Sequence, residues 1–378
     1  MHDAGDPDRR GYGTALFLPF PGDGEQEERE SGQRRHAGTL ISGGETVHLP
    51  RFDYLEPDTL EEALLLLTSH PDTGRVIAGG TDLLIAMKQR LQTPEYLIGL
   101  DRITTLKGVR QQDNMITIGP LTTLEEVIGS PPIREKFPEI IRAAWEVGSP
   151  LLRSTATIGG NLCLDSRCRF YNQSLFWRST RGPCCKTGGT RCHVTGRENM
   201  CFSSFSGDLA PVLIALNATV TLAGGRGERV IPLSSFYTGD GRRPNLVMQE
   251  KTVILTGIGL PVPDGLKQGA YRKYRLRPSV DFPLVGVAAT LTRDRREKGC
   301  LDVRIVLTGV GPRPVEALRA REKLLGEELR PDVVAQAAET AAAEIRPAAV
   351  DQVTPYYKRK LVRCMVAETL SELGGLSG

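Results

Sequence analysis

The chain has 378 residues, of which 40% are hydrophobic and 25% are charged, as in an ordinary globular protein with room for two or three domains. Its formal net charge of +3 is too small to indicate a nucleic-acid-binding protein. No apolar run reaches the roughly 20 residues of a membrane span, and the first residues lack the apolar core of a secretion signal, so we expect a cytoplasmic protein.

The first elements follow a polar tail. Residues 1–48 predict a disordered segment because charged and polar residues dominate it without periodicity. Ordered structure is expected from about Arg51. Thr59 and Glu62 have the spacing of a capping box and predict the start of a helix. A short strand over 75–78 then leads into a pair of glycines, and YLIGL and NMITIGP predict two further strands.

The middle of the chain alternates between predicted helices and strands. Helices are predicted to start over 122–127, again with threonine and glutamate at capping spacing, and to cover 137–147. LLRSTATIGGNLC is predicted to be strand-like and ends at a second pair of glycines. A short helix running into a strand is predicted for GDLAPVLIALNATVTLAGG. The sequence PVPDG at 261–265 predicts a domain boundary.

The last part of the chain predicts three strands, AYRKYRL, LVGVAATLTR and LDVRIVLTGV, followed by helices over 315–329, 333–344 and 356–373. Strands followed by helices indicate a compact domain over 266–375 in which a small antiparallel sheet packs on helices. The fold class of the whole chain is therefore predicted to be α+β.

Two glycine-rich loops carry the first chemical signal. Gly79-Gly80-Thr81-Asp82 and Thr157-Ile158-Gly159-Gly160-Asn161 both allow positive φ and a close approach of the backbone to a ligand. Consecutive backbone N–H groups in such loops can converge on an anion. Either loop alone is more often a simple tight turn, and neither is a Walker A or GxGxxG motif. Together they favour a pyrophosphate ligand.

The order of RVIAGGTDL, IGPLTTLEEV, VGSPLLRSTATIGGNL and GDLAPVLIALNATV resembles the FAD-binding subunits of the molybdenum hydroxylase family, which includes xanthine dehydrogenase, carbon monoxide dehydrogenase and 4-hydroxybenzoyl-CoA reductase. The resemblance covers about 51–375. It implies a two-subdomain FAD-binding domain over 49–262, with the flavin held between the subdomains, and a C-terminal flavoprotein domain that helps to cover it.

The resemblance also implies which residues contact FAD. Asp208 matches an acidic residue near the adenosine portion, and Lys273 matches a basic residue near the isoalloxazine ring. Taken alone, Asp208 would be a helix N-cap and Lys273 an exposed strand lysine. The glycine loops are implied to hold the pyrophosphate and the ribityl chain through Ala78, Gly79, Gly80, Thr81 and Asp82, and through Thr157, Gly159, Gly160 and Asn161.

An insertion over 163–203 separates the second glycine loop from Asp208 and holds six of the eight cysteines. An iron–sulfur cluster, a structural zinc ion, and disulfides or inert thiols are all compatible with cysteines alone. The spacing lacks both the paired CxxC pattern of zinc ribbons and the compact ferredoxin pattern, so it favours a cluster over zinc only modestly. The six cysteines are Cys163, Cys168, Cys184, Cys185, Cys192 and Cys201.

The entry into the insertion, GNLCLDSRCRFYNQSLFWR, is similar to that of the 4-hydroxybenzoyl-CoA reductase β subunit. That resemblance implies a 4Fe–4S cluster on four thiolates, with Cys185 as a possible replacement for Cys184. Cys163 is expected to be a small buried apolar residue, and His193 an exposed filler. Tyr171, Phe176 and Trp177 are expected to shield the cluster or to pack the insertion. The ligands implied by the family's intervals are Cys168, Cys184, Cys192 and Cys201.

The resemblance implies an electron-transfer subunit without catalytic side chains of its own, in which the cofactors supply the chemistry. Electrons from a ferredoxin-like donor would pass through 4Fe–4S and FAD to 2Fe–2S clusters and molybdopterin on a small and a large partner subunit, in a dimer of heterotrimers. The reaction would be the reductive dehydroxylation of an aryl-CoA. The alternatives are the FAD subunit of an oxidative hydroxylase such as a xanthine or carbon monoxide dehydrogenase, and a zinc-stabilised binding module without redox function.

Overall fold

Three β-sheets organise the part of the chain that the computed structural model describes, which comprises residues 33–35, 48–263, 267–293, 299–351 and 353–376. Each sheet has its own buried cluster of apolar side chains. The predicted α+β class is confirmed within these residues.

The first sheet forms the first subdomain and has the strand order β1-β2-β4-β3. Strands β2, β4 and β3 are parallel, whereas β1 is antiparallel to β2. The Thr59 hydroxyl accepts a hydrogen bond from the Glu62 N–H at 3.1 Å, which confirms the predicted start of the first helix. The elements are β1 (Gln33–Arg35), β2 (Asp53–Leu55), α1 (Leu60–Ser69), β3 (Gly74–Ile77), α2 (Leu83–Lys88) and β4 (Tyr96–Gly99).

The second subdomain surrounds a five-stranded antiparallel sheet with the order β5-β6-β9-β7-β8. Thr123 and Glu126 form the expected capping box at the start of α3. The elements are β5 (Val109–Gln112), β6 (Met115–Ile118), α3 (Leu124–Gly129), α4 (Pro131–Lys136), α5 (Pro138–Trp145), α6 (Pro150–Arg153), α7 (Ile158–Leu162), α8 (Leu175–Arg181), α9 (Leu209–Ala215), β7 (Thr219–Gly224), β8 (Gly227–Pro232), α10 (Leu246–Glu250) and β9 (Val253–Pro261).

The C-terminal domain contains a four-stranded antiparallel sheet with helices, as predicted. The strand Val285–Arg293 is buried on both faces. Ala288 packs into the core of the second subdomain, whereas Val287 and Ala289 pack into the core under the C-terminal helices. The elements are β10 (Lys267–Tyr274), β11 (Val285–Arg293), β12 (Cys300–Thr308), β13 (Val315–Glu316), α11 (Leu318–Leu324), α12 (Pro331–Glu344) and α13 (Pro355–Gly374).

Two sequence predictions about local structure are wrong. The segment LLRSTATIGGNLC is not a strand but forms α6 and α7, because Ser149 and Thr157 each cap a helix with their hydroxyl groups and Pro150 suits the first helical turn. The helix predicted over 315–329 is shorter, because Val315–Glu316 pair with β12 as β13 instead.

Most of the predicted disordered tail over 1–48 lies outside the described residues, as does the end of the PVPDG segment, 264–265. The exception within the tail is β1, which pairs with β2 through Gln33–Arg35. Among the described helices, none combines the length and the apolar character that crossing a bilayer requires.

Candidate cofactor sites

The first glycine loop, 78–82, joins β3 to α2 and lies directly against the chain that precedes the second loop. A Cβ atom on Gly79 would lie 2.0 Å from the carbonyl oxygen of Thr155, so only glycine allows this contact. Gly80 adopts a φ of 68°, in the left-handed region that favours glycine. The two glycine loops are therefore neighbours in space although about 75 residues separate them.

The backbone N–H groups of the first loop are available to a ligand. Among the described residues, no backbone hydrogen bond has Gly79, Gly80 or Thr81 as its donor. These three consecutive N–H groups belong to half-buried residues, and unpaired amides in such positions are costly unless a ligand or water accepts their hydrogen bonds. Their arrangement fits an anionic oxygen such as that of a pyrophosphate.

The second glycine loop uses its backbone N–H groups internally. Ile158 donates to Thr122 at 2.9 Å, Gly159 donates to Pro120 at 2.9 Å, and Asn161 donates to Thr157 at 3.0 Å. The Gly160 N–H donates to the Thr157 hydroxyl at 3.1 Å. The N–H groups of Ile158 to Asn161 are therefore all paired, because the carbonyls of Pro120, Thr122 and Thr157 and the Thr157 hydroxyl accept from them.

Only side chains of the second loop remain to contact a cofactor. The Thr157 hydroxyl accepts from Gly160 and keeps its own proton for donation. The Asn161 Oδ1 atom accepts from the Leu209 N–H at 3.3 Å, which caps α9, so its amide nitrogen is the group left for a ligand. Gly159 cannot carry a side chain, because a Cβ there would lie 2.6 Å from the Pro120 Cβ atom.

Asp208 and Lys273 bind each other. The Lys273 Nζ atom lies 3.0 Å from the Asp208 Oδ2 atom, and the two side chains are 1% and 5% exposed. Tyr271 donates to the other carboxylate oxygen at 2.6 Å, and Lys273 also donates to the carbonyl of Glu146 at 2.8 Å. This buried cluster joins the start of α9 in the second subdomain to β10 of the C-terminal domain.

The pKa of Asp208 is raised to about 6, because burial disfavours its charged form more than Lys273 and the Tyr271 hydroxyl favour it. The implied roles of Asp208 near the adenosine portion and of Lys273 near the isoalloxazine ring stay predictions. The structure adds that the two side chains pair with each other between the second subdomain and the C-terminal domain. Asp208 also does not cap α9 through its side chain.

The insertion over 163–203 folds around a small, partly open cavity. The side chains of Cys185, Cys192 and Cys201 form a buried cluster there with Val194 and Phe202 beside them. Within the described residues all eight cysteines are free thiols, so the disulfide alternative is not supported. Five of the six cysteines in the insertion line the cavity: Cys168, Cys184, Cys185, Cys192 and Cys201.

Four of these sulfur atoms lie within reach of hydrogen-bond donors. Cys168 accepts from the Phe170 N–H at 3.5 Å, and the Thr187 hydroxyl lies 3.6 Å from the Cys184 sulfur. The Ser203 hydroxyl lies 3.1 Å from the Cys201 sulfur. Although burial raises the pKa of Cys192, hydrogen bonds from the side chain and backbone of Thr195 and from the backbone of Val194 and Phe202 lower it overall. Such donors stabilise thiolates and tune metal-bound sulfur.

Cys185 and Cys163 differ from these four. The Cys185 thiol donates to the carbonyl of Met200 at 3.2 Å, and its pKa is raised to about 12, first by burial and then by the neighbouring cysteines. Cys163 does not line the cavity; it packs against the core of the second subdomain, where burial raises its pKa to about 12. The expectation of a buried, apolar role for Cys163 agrees with this position.

No three His, Cys, Asp or Glu side chains among the described residues converge closely enough to hold one metal ion. A zinc ion with bonds of about 2.3 Å to sulfur would need its thiolates about 4 Å apart. A cubane spreads its ligands further, because each thiolate binds a different iron atom. Within the described residues, the positions of the cysteine side chains therefore identify neither a zinc site nor a cluster site by themselves.

The aromatic residues of the insertion divide between the cavity and the surface. Tyr171 is buried and lines the cavity, as expected, and so does Phe170, which sequence reasoning missed. Phe176 is 67% exposed, so the prediction that it shields the cavity is wrong. Exposed His193 lies at the cavity wall, where its Nε2 atom is 3.1 Å from the carbonyl of Gly182.

Two arginines anchor the insertion to the first glycine loop and the helix that follows it. Arg167 lies 3.5 Å from the carboxylate of Asp82, the last residue of that loop. Arg178 donates to the carbonyls of Gln89 and Arg90, just after α2, at 3.0 and 2.8 Å. Burial raises the pKa of Asp82, and Arg167 opposes that shift. The cysteine cavity and the first glycine loop are thus joined by direct contacts.

The sequence did not indicate the structural contacts of four residues at these sites, Arg167, Arg178, Tyr271 and the buried Lys186. Their partners lie 20 to about 90 residues away along the chain, so no local pattern indicates them. The one available signal was position: Arg167 and Lys186 are the immediate neighbours of Cys168 and Cys185.

Two family models match the chain, one over the two N-terminal subdomains and one over the C-terminal domain. Residues 50–263 match the FAD binding domain in molybdopterin dehydrogenase. Residues 269–373 match the CO dehydrogenase flavoprotein C-terminal domain. The boundary between the two matches lies at the predicted break after β9.

Similar proteins cover most of the chain. The carbon monoxide dehydrogenase medium chain of Hydrogenophaga pseudoflava is 27% identical over 85% of this chain and 96% of its own length. The aldehyde oxidoreductase FAD-binding subunit of Escherichia coli is 33% identical over 71% of this chain and 85% of its own length. A solved structure of carbon monoxide dehydrogenase from Hydrogenophaga pseudoflava superposes with a TM-score of 0.71 at 27% identity, covering 86% of this chain and 97% of the solved one.

Proposed function

Because the chain belongs to the FAD-binding subunits of the molybdenum hydroxylase family, we propose that it is an electron-transfer subunit with two cofactors of its own. FAD would bind across the two glycine loops, and an iron–sulfur cluster would bind in the cysteine cavity of the insertion. Neither role requires an acid–base side chain, since the protein supplies binding and tuning while the cofactors supply the chemistry.

The observation that carries the flavin proposal is the set of N–H groups at Gly79, Gly80 and Thr81, which have no backbone partner within the part of the chain that the structure describes. They would bind the pyrophosphate of FAD, and the side chains of Thr157 and Asn161 would add donors from the adjacent loop. Ala78, Asp82, Gly159 and Gly160 complete the loops as backbone. Bound FAD exchanges electrons singly or in pairs, which suits an exchange point between one-electron and two-electron carriers.

The direction of the sulfur hydrogen bonds supports a specific set of cluster ligands. A ligand must be a thiolate and so accepts hydrogen bonds, whereas the Cys185 sulfur donates one to Met200 and therefore keeps its proton. We infer that the cluster is of the 4Fe–4S type and that Cys185 is a structural thiol. The four ligands would be Cys168, Cys184, Cys192 and Cys201.

Ligand substitution tests this set directly. The purified chain would be reconstituted anaerobically with ferrous iron and sulfide, and iron and acid-labile sulfide would be determined. Cys184→Ser is expected to lose the cluster, and Cys185→Ser, its neighbour and matched control, is expected to keep it. Loss in Cys185→Ser with retention in Cys184→Ser would reverse the assignment, and zinc without sulfide in the unsubstituted chain would refute the cluster.

The partners and the direction of electron flow follow from different observations. The similar proteins named above are dehydrogenases or oxidoreductases, which supports a complex with molybdopterin-binding and 2Fe–2S subunits that oxidises its substrate. The cysteine cavity favours a second candidate, reductive dehydroxylation of an aryl-CoA as in 4-hydroxybenzoyl-CoA reductase. Residues 163–203 carry seven Lys and Arg against two Asp and Glu, which suits an acidic, ferredoxin-like donor.

The two candidates predict different reactions of the intact complex. In the reductive case, a strong one-electron reductant should drive the loss of the hydroxyl group from a 4-hydroxyaryl-CoA thioester. In the oxidative case, aldehydes or N-heterocycles should bleach the flavin absorbance of the complex without added reductant. Flavin bleaching by such substrates and no turnover of the aryl-CoA would defeat the reductive candidate.

A further inference from the structure

Lys186 is a buried cation beside the cysteine cavity. Its side chain is 3% exposed, and its Nζ atom lies 2.6 Å from the carboxylate of Asp165. The same ammonium group donates to the Ser166 hydroxyl and to the carbonyl of Gly241, both at 2.7 Å. Its three protons therefore match three close acceptors, and the charge cannot turn away towards solvent.

Two serine hydroxyls connect this ammonium group to a cavity sulfur. The Ser166 and Ser203 oxygen atoms are 2.6 Å apart, and the Ser203 oxygen lies 3.1 Å from the Cys201 sulfur. Because Lys186 can only donate, the Ser166 oxygen accepts from it. The single proton of the Ser166 hydroxyl has two acceptors within reach, the Ser203 oxygen at 2.6 Å and the Gly241 carbonyl at 2.8 Å. The Ser203 proton likewise has two acceptors at nearly equal distance, the Gly241 carbonyl at 3.0 Å and the Cys201 sulfur at 3.1 Å, and a thiolate at Cys201 would accept from it.

Gly241 belongs to the loop before α10, outside the insertion, and closes this network from the second subdomain. Its carbonyl lies within 3.0 Å of both serine hydroxyls and of Lys186. A Cβ on Gly241 would lie 2.9 Å from the Cys201 sulfur, so the close approach needs a glycine. The network therefore has a fixed position relative to the FAD-binding domain.

We propose that Lys186 is a positioning residue that acts through Ser166 and Ser203 to direct a hydrogen bond at the Cys201 thiolate and so raises the reduction potential of the cluster. The proposal rests on the cluster assignment made above. Reduction adds a negative charge to a cluster, and both a nearby cation and a hydrogen bond to a ligand sulfur stabilise that added charge. The Asp165 carboxylate pairs with the lysine and also accepts from the Ser166 N–H, which holds both groups in place.

The test is potentiometric titration of the reconstituted full chain, followed by the electron paramagnetic resonance signal of the reduced cluster. Lys186→Met is expected to shift the midpoint potential to more negative values, and Ser203→Ala is expected to shift it in the same direction by less. Arg181→Met removes an exposed positive charge from the same insertion and is the matched control, with no shift expected because solvent screens that charge.

The outcomes separate this proposal from the cluster assignment. If the unsubstituted chain binds no iron and sulfide, the assignment fails and this proposal fails with it. If the cluster assembles and neither Lys186→Met nor Ser203→Ala moves the potential, only this proposal is overturned. If Lys186→Met does not fold, Ser203→Ala decides: a more negative potential supports the relay, and an unchanged potential refutes it.

Discussion

The two glycine loops look alike in the sequence and do different work in the structure. Both place paired glycines where backbone segments pass within contact distance, Gly79 against Thr155 and Gly159 against Pro120. In the first loop the following N–H groups have no backbone partner among the described residues, whereas in the second loop they close the first turn of α7.

The difference teaches that a glycine pair by itself does not indicate an anion site. What decides is whether the N–H groups after it are consumed by local structure. Thr157 caps its own helix and thereby uses the Gly160 N–H, but Thr81 has no corresponding bond. This difference supports the proposal that the first loop supplies the backbone donors of the flavin site and that the second supplies side chains and support.

The largest expected effect tests the supporting role of the second loop. Gly159→Ala would place a Cβ 2.6 Å from the Pro120 Cβ and 2.7 Å from its carbonyl oxygen, both in a rigid part of the backbone. We expect a loss of about 3 kcal/mol in the free energy of unfolding, measured by urea titration without FAD. Gly160→Ala is the control, since its Cβ would meet only the Thr157 hydroxyl and should cost about 1 kcal/mol or less. Equal stability of the two variants would contradict the supporting role of the second loop.

The next effect concerns the donors of the first loop. Gly80 has a φ of 68°, and an alanine in that conformation would cost roughly 1–2 kcal/mol. A change of the backbone that relieves this strain would turn the neighbouring N–H groups away from a shared anion. We expect FAD affinity, measured by flavin fluorescence titration, to fall at least about tenfold. Gly160→Ala should weaken FAD binding by less, because its N–H already bonds to Thr157. A greater loss of affinity in Gly160→Ala than in Gly80→Ala would reverse the assigned roles.

The smallest effect is a pH dependence that only the first loop should show, since residues 157–161 contain no ionisable side chain. Burial raises the pKa of Asp82, so the folded protein retains a proton that the unfolded chain releases, and its contribution to stability falls as pH rises from the ordinary aspartate range through the folded pKa. Asp82→Asn should remove this fall and stabilise the protein at neutral pH by less than about 1 kcal/mol, since the side chain is about a third exposed.

Urea titrations between about pH 4 and pH 7 would measure the difference between Asp82→Asn and the unsubstituted chain. The gap is expected to grow with pH and then level off. If Asp82→Asn is instead less stable at neutral pH, the Arg167 contact outweighs the cost of burial, and Asp82 holds the insertion in place rather than storing strain at the loop.

Local sequence patterns predicted much of this molecule. Strand alternation and threonine–glutamate spacing located β3, β4, β6, α1 and α3, because these signals depend on neighbours within a few residues. The apolar runs of the C-terminal domain predicted its three long strands and its last two helices. The spacing of the cysteines left a cluster, a zinc ion and disulfides or inert thiols open, and only the family resemblance implied a cluster.

Only the tertiary structure decided how the polar groups are paired. Asp208 forms an ion pair with Lys273 of another domain, and Lys186 donates hydrogen bonds to Ser166 and Gly241. The second glycine loop is helical, and Thr157 caps its helix. These hydrogen bonds and buried contacts join groups that are distant along the chain. Composition and periodicity therefore cannot predict which groups pair. The sequence by itself determined which residues are candidates for cofactor binding, and folding determined which backbone donors and thiols among them stay unpaired within the described residues.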